Sequence, residues 1–284
     1  MQATPLSKLT LEGREFLVKR DDLFDPYLSG NKYRKLHTLL HTPKNRYKKI
    51  ISYGGTQSNA MLAIAAMCQQ KGWEFEYYTK PMSGVQKNQT FGNFHQALVL
   101  GMQHIEIETA LYKEYIASLH VTHNEDVYII EQGGADILAK NGIAVLAQEI
   151  REQNQDVKSI ATPSGTGTTA LSLALCLPEY TVYTLPCIGD EDYLKEQMLS
   201  LATIPSNLVI LKPKKKYHFA KLYLEFLDMY QKTKKAGVEF DLLYAPAMWL
   251  TLLEQTQEKI IYIHSGGVSG NESMLARYSQ KFTL

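Results

Sequence analysis

Four short segments of this chain bring together residue types that can do chemistry. In Ser29-Gly30-Asn31-Lys32 a lysine follows a Gly-Asn turn at a predicted helix start, where the helix dipole disfavours a cation. Such a lysine is ordinarily just solvated. Desolvated, its amine would be a nucleophile able to engage a carbonyl compound covalently. The second segment, Gly165-Thr166-Gly167-Thr168-Thr169, lies between a β-prone run and a helical one. Glycines let backbone approach an anion closely, and amides, threonine hydroxyls and the positive end of a helix can then surround a phosphate. The segment lacks the lysine of a Walker loop and completes no GxGxxG fingerprint. An ordinary strand-to-helix turn is the plain alternative.

The third segment, Tyr53-Gly54-Gly55-Thr56-Gln57-Ser58-Asn59, again joins a strand to a helix. A small polar loop at a helix N-terminus suits a carboxylate, and simple capping by Ser58 or Asn59 competes with that reading. The fourth, Ile261-Tyr262-Ile263-His264-Ser265-Gly266-Gly267, carries a hydroxyl and two glycines to the carboxyl end of a strand. Open α/β sheets bind ligands at that edge, although strand-ending Ser-Gly-Gly is also a common turn.

Short β-prone runs alternate with longer amphipathic stretches, which predicts an α/β chain with parallel-rich sheets flanked by helices. Strands are expected at residues 16–18, 49–53, 75–78, 104–107, 127–130, 159–162, 181–185, 208–210 and 260–263. Helices are expected at 32–40, from Ser58 or Asn59 through Met67, and at 93–100, 142–153 and 169–177. A complete set of strands and helices between residues 36 and 125 predicts a small domain there, with 1–35 and 126–284 forming a larger one.

With 45% hydrophobic and 21% charged residues the chain is ordinary globular material, long enough for a substantial core. A formal net charge of +1 gives no electrostatic case for nucleic acid or an anionic membrane. The cluster Lys212-Pro213-Lys214-Lys215-Lys216 reads as a solvated loop. Cys68, Cys176 and Cys187 stand far apart without CxxC spacing, as reduced core thiols do, which argues against a disulfide framework or a metal site. The first residues lack a signal-peptide pattern, and no apolar run approaches the ~20 residues of a membrane span. The expected class is a cytoplasmic globular protein.

Taken in order, these segments resemble the 1-aminocyclopropane-1-carboxylate deaminase and D-cysteine desulfhydrase family of pyridoxal-phosphate enzymes. The resemblance runs from Thr4-Pro5-Leu6 through Val18-Lys19-Arg20-Asp21-Asp22-Leu23 and is strongest at Ser29-Gly30-Asn31-Lys32 with Arg34-Lys35-Leu36. It continues through Gly55 to Asn59, Gly92-Asn93, Gly133-Gly134, Gly165 to Thr168, Tyr244 with Met248, and His264 to Gly267. It implies a two-domain tryptophan-synthase β-like fold (fold type II), pyridoxal 5'-phosphate as cofactor, a small amino acid as substrate, and a homodimer.

By that resemblance Lys32 holds the cofactor as a Schiff base and later shuttles protons. Asn59 meets the ring oxygen, Ser58 with nearby amides holds the substrate carboxylate, and Tyr244 sits over the reacting side. Ser164, Gly165, Thr166, Gly167 and Thr168 bind the phosphate with help from Lys35, and Ser265 faces the pyridine nitrogen in place of the usual threonine. Three departures stand out. Ala60 occupies the usual histidine position, the phosphate loop reads Ser-Gly-Thr-Gly-Thr, and Tyr244 is followed by Ala245-Pro246-Ala247 instead of Tyr-Glu-Gly-Lys or Tyr-Thr-Gly-Lys. Ala245 supplies no carboxylate to keep the ring nitrogen protonated, and Ser265 offers a neutral hydroxyl, so β-elimination is favoured over ring opening. The leading expectation is D-cysteine desulfhydrase-like conversion of a small amino acid to a 2-oxo acid and ammonia. The alternatives are the cyclopropane-carboxylate deaminase, a pyridoxal-phosphate-binding protein without turnover, and a phosphate-binding α/β protein.

Overall fold

β-Branched and aromatic runs bounded by glycine turns build the strands, and the alanine- and leucine-rich stretches between them build the helices. The computed structural model describes residues 3–122, 125–134, 138–154 and 156–282. Among these the chain opens with strands β1 (Leu6–Leu11) and β2 (Arg14–Lys19) and helices α1 (Gly30–Lys35) and α2 (His37–His41). There follow β3 (Lys49–Tyr53), α3 (Asn59–Lys71), β4 (Glu74–Thr79), α4 (Gly84–Lys87), α5 (Gly92–Val99), β5 (Met102–Glu106), α6 (Tyr112–Thr122) and β6 (Val127–Ile130). The remainder runs α7 (Ala139–Gln153), β7 (Ser159–Ala161), α8 (Thr168–Cys176), β8 (Thr181–Thr184), α9 (Glu191–Leu199) and β9 (Leu208–Ile210). It ends with α10 (Leu224–Lys235), α11 (Ala245–Gln255), β10 (Ile261–Ile263) and α12 (Asn271–Phe282).

The strands form two sheets. One has the order β1-β2-β10-β7-β8-β9 and the other the order β5-β4-β3-β6. Among the described residues only β1 and β2 pair antiparallel, through the Glu12-Gly13 turn, where both residues have positive φ as a two-residue hairpin requires. Every other pairing is parallel, so helices must carry the chain back across the sheets. The α/β class with parallel-rich, helix-flanked sheets is therefore as the sequence predicts. Parallel strands are buried on both faces, and β10 shows how. Tyr262 packs into a cluster with Phe16, Trp249 and Phe240, while Ile261 and Ile263 face a second cluster with Leu171, Leu173 and Val182. Helix α3 is buried from Ala60 to Cys68. No helix among the described residues is long and apolar enough to cross a membrane.

One expectation changes at α1. The helix expected over 32–40 breaks at Leu36, which leaves helical geometry at φ −85° and ψ 3° and separates α1 from α2. The sequence pattern does not mark helices α4, α6, α9, α10, α11 and α12 or strand β1.

Position and orientation of α1 are set by a buried charge cluster. The Arg34 side chain is fully buried and makes paired bonds to two carboxylates. Nε and Nη2 meet Asp21 at 2.9 and 2.8 Å, and Nη1 and Nη2 meet Glu149 at 2.7 Å each. Lys19 at the end of β2 reaches Glu149 at 2.6 Å, and Thr4 donates to Asp21 at 2.6 Å. Burial alone would raise the Glu149 carboxyl, yet the bonds from Arg34 and Lys19 hold it below its ordinary range. The backbones meet just as tightly, since a Cβ on Gly142 of α7 would fall 1.9 Å from the Arg34 carbonyl oxygen. Breaking such a pair leaves uncompensated buried charge, so Arg34→Met should lower unfolding stability by about 3–5 kcal/mol. Urea denaturation read by circular dichroism checks this, and a loss under 1 kcal/mol would show that the cluster is not a structural anchor.

Candidate active site

The carboxyl ends of parallel strands from both sheets open on one cavity of about 1250 Å³. The β3–α3 loop, the loop after β6, the β7–α8 loop and the turn after β10 all contribute to it. It is lined by each of Lys32, Lys35, Ser58, Asn59, Ser164, Gly165, Thr166, Gly167, Thr168, Tyr244 and Ser265.

Lys32 and Lys35 lie one turn apart on α1. Among the described residues the Lys32 amine bonds Asn31 Oδ1 alone, at 3.1 Å. Burial pushes it down to about 8, against the opposing attraction of Asp241. Lys35 donates to the Gly133 carbonyl at 3.2 Å. Burial, and then the neighbouring Lys32 charge, hold it well below the ordinary amine range. The turn that aims these lysines requires glycine. A Cβ on Gly30 (φ +60°) would fall 2.0 Å from the Ser265 carbonyl group, and the Asn31 amide donates to the Ser265 oxygen at 3.2 Å.

Ser58 caps α3, its hydroxyl accepting from the Ala60 and Met61 amides at 3.2 and 3.3 Å. Capping thus uses its oxygen, while its hydroxyl also hydrogen-bonds the Tyr77 side chain. Asn59 Oδ1 accepts from Asn93 at 2.7 Å, and Asn93 in turn accepts from Ser269 at 2.9 Å. In the β7–α8 loop the Thr166 and Thr168 hydroxyls lie 3.0 Å apart. Gly167 stands at φ +77° at the start of α8, where a Cβ would fall 2.6 Å from Met198. Ser164 differs from its loop neighbours, because its hydroxyl meets Thr184 at 2.7 Å while Thr184 donates to the Thr162 carbonyl. The Ser164 proton is therefore committed to the sheet edge.

Tyr244 starts α11 and lies against the glycine loop, with its Cε1 3.5 Å from where a Gly165 Cβ would be. Burial, followed by the Cys187 and Asp241 charges, pushes its hydroxyl well above the tyrosine range and keeps it neutral. Ala60 lines the cavity. Ala245 does not. It is buried in the apolar cluster with Met248 and Trp249, so residue 245 faces the core and not the cavity.

Sequence reasoning missed a carboxylate that does line the cavity. Asp241 accepts the Leu243 and Tyr244 amides on Oδ1 at 3.0 and 2.6 Å, and burial pushes its acid up to about 6 against those bonds. A lone acid in the apolar run Phe240-Asp241-Leu242-Leu243-Tyr244, three residues before the tyrosine, was the available signal. Tyr53 and Glu131 also line the cavity and were also missed.

Three cavity-lining polar atoms, Ser265 Oγ, Thr169 Oγ1 and Gln57 Oε1, are buried without a hydrogen-bond partner among the described residues. Each such atom costs about 1–3 kcal/mol, which a polar ligand can offset. An unpaired hydroxyl on the turn after β10, hydroxyls at a glycine-rich helix start and a desolvated lysine fit the pyridine nitrogen, phosphate and aldehyde of pyridoxal phosphate. The depressed Lys32 amine is free above about pH 8. Its reductive alkylation by a small aldehyde should rise through about pH 8 and then level off, whereas exposed lysines keep rising towards about pH 10. Peptide mapping of the modified protein checks this, and a Lys32 profile matching the surface lysines would remove desolvation as its distinguishing feature.

Residues 2–189 match the family model described as pyridoxal-phosphate dependent enzyme. The bifunctional D-cysteine desulfhydrase/1-aminocyclopropane-1-carboxylate deaminase of Arabidopsis thaliana is 26% identical over 308 residues, covering 94% of this chain and 77% of that protein. The D-cysteine desulfhydrase of Serratia proteamaculans is 30% identical over 195 residues, covering 62% of this chain and 58% of that one. Among solved structures, one described as an ACC deaminase homologue superposes with a TM-score of 0.75 at 21% identity, over 97% of this chain and 94% of that one. The fold is thus that of the pyridoxal-phosphate enzymes of fold type II. With the loops, the desolvated lysine and the matched family model in agreement, the chain belongs to the pyridoxal-phosphate dependent enzymes, in the group that holds these desulfhydrase and deaminase relatives.

Proposed function

We propose that this chain carries out D-cysteine desulfhydrase-like β-elimination on a small amino acid, which loses its β-substituent (as hydrogen sulfide from D-cysteine) and, with water, yields a 2-oxo acid and ammonia. The observation that supports this best is the buried, depressed amine of Lys32 in a cavity whose three unpartnered polar atoms call for a polar ligand. When bound, pyridoxal phosphate supplies an electron sink for charge developing at the substrate Cα.

The roles of the chain's own residues follow from their surroundings. Lys32 is the attachment point and, as a neutral amine, the base that takes the Cα proton. Thr166, Gly167, Thr168 and Thr169 at the start of α8 hold the phosphate, with Lys35 supplying positive charge once an anion restores its proton. Ser164 shapes the start of that loop through its backbone. Ser265 offers its unpaired hydroxyl to the ring nitrogen, and Asn59, oriented by Asn93, meets the ring oxygen. Ser58 meets the substrate carboxylate beside the α3 N-terminus, turning its hydroxyl from Tyr77. Tyr244, held neutral, can donate a hydrogen bond to the departing β-substituent.

Asp241 favours a second reading. An acid inside the cavity weakens the case against cyclopropane opening that rests on Ala245, so the deaminase remains the alternative. We also propose a cytoplasmic homodimer, with a small domain at residues 36–125 packed on 1–35 with 126–284.

The purified protein should release pyruvate from D-cysteine and little or no 2-oxobutyrate from 1-aminocyclopropane-1-carboxylate, with Lys32→Ala silent on both and lacking a borohydride-reducible Schiff-base band. Efficient 2-oxobutyrate release without pyruvate release would select the deaminase instead. Firm cofactor binding with no product from D-cysteine, L-cysteine or the cyclopropane acid would leave only the binding role.

A further inference from the structure

Part of the cavity wall plays no role in the reading above. Tyr53 ends β3, and Glu131 follows the last residue of β6. These strands pair in parallel with Ser52 beside Ile130, so the next residues on each strand meet at the sheet's edge. The Tyr53 hydroxyl donates to Glu131 Oε2, and His120 Nε2 from α6 lies 3.1 Å from Oε1. Tyr53 and Glu131 line the cavity, and the Glu131 side chain keeps 42% of its surface exposed.

The other charged groups lining the cavity are spoken for. Lys32 and Lys35 serve the cofactor, Asp241 is tied to the backbone at the start of α11, and Arg277 at the mouth donates to the Ala220 carbonyl at 2.9 Å. Among the described residues each Glu131 oxygen has one side-chain partner, and a carboxylate oxygen can accept two bonds. A carboxylate oriented by two donors yet still open to the cavity is built to sort ligands by charge.

Resting on the amino-acid reading above, we propose that Glu131, oriented by Tyr53 and His120, is a specificity-determining residue for the substrate's β-substituent. It favours substituents that bear a positive charge or a hydrogen-bond donor and rejects anionic ones. A purely structural clamp between β6 and α6 would make no such distinction, because glutamine at this position still accepts hydrogen bonds.

The test measures binding of α-methyl amino acids, which lack a Cα proton and so cannot enter β-elimination. Dissociation constants of α-methylserine, α-methylaspartate and α-methyl-2,3-diaminopropionate for the pyridoxal-phosphate-loaded full chain are read by calorimetry. The wild type should bind the diaminopropionate analogue at least about tenfold more tightly than the aspartate analogue. Glu131→Gln should shrink that ratio by about tenfold while the serine analogue stays within about twofold. Tyr53→Phe, which keeps the carboxylate but removes one holder, should shrink the ratio less, and it serves alone if the first variant does not fold. An unchanged ratio in a folded variant, with the serine analogue still bound, would overturn the proposal and leave the amino-acid reading intact. A wild type that binds none of the three would overturn both.

Discussion

The bidentate grip of Arg34 on Asp21 and Glu149 is the interaction on which the site depends. It joins the loop after β2, helix α1 and helix α7, and Lys19 with Thr4 closes the cluster from the N-terminal side. Two cations and two anions with satisfied hydrogen-bonding positions can stay buried, whereas any one of them alone could not. Helix α1 has only six residues, too few to hold itself in place. Its tertiary anchors therefore decide where Lys32 and Lys35 point. Gly142 lets α7 approach on one side and Gly30 lets the Ser265 turn approach on the other.

Around that anchor the cavity follows a single electrostatic pattern. Groups that water would leave in their ordinary state are moved towards neutrality by desolvation. The Lys32 and Lys35 amines go down, and the Asp241 acid and Tyr244 hydroxyl go up. The unpaired atoms on Ser265, Thr169 and Gln57 are the hydrogen-bonding side of the same condition. Perturbed titration and unmet polar atoms gathered in one cavity are the marks of a functional site. They sit at the carboxyl ends of parallel strands, where α/β sheets place ligands.

The reading of residue 245 shows how spacing along a chain can mislead. Next to Tyr244, an alanine reads as a missing active-site acid. In the fold, Pro246 sits in the first turn of α11, and the helix rotates Ala245 into the core beside Trp249 while Asp241 comes from the preceding turn to line the cavity. Ser164 gains a partner that spacing along the chain does not show. Its loop reads as continuous phosphate chemistry, yet its proton goes to Thr184 on the neighbouring strand, a partner that appears only once the sheet is paired.

By itself the sequence determined the alternation of strands and helices, the α/β class and the loops that carry the chemistry. Glycines, capping residues and β-branched runs act over a few positions, and their effects are local. All eleven expected site residues line one cavity, and most lie at strand ends or helix starts that such local signals mark, whereas Lys35 ends α1 and Tyr244 opens a helix that the sequence pattern does not mark. The break at Leu36, the turning of Ala245 into the core and the arrival of Asp241 were decided only in three dimensions. So was the joining of Tyr53 to Glu131, 78 residues apart along the chain. Desolvation and pairing depend on what surrounds a group from every direction, and a one-dimensional spacing carries no record of that.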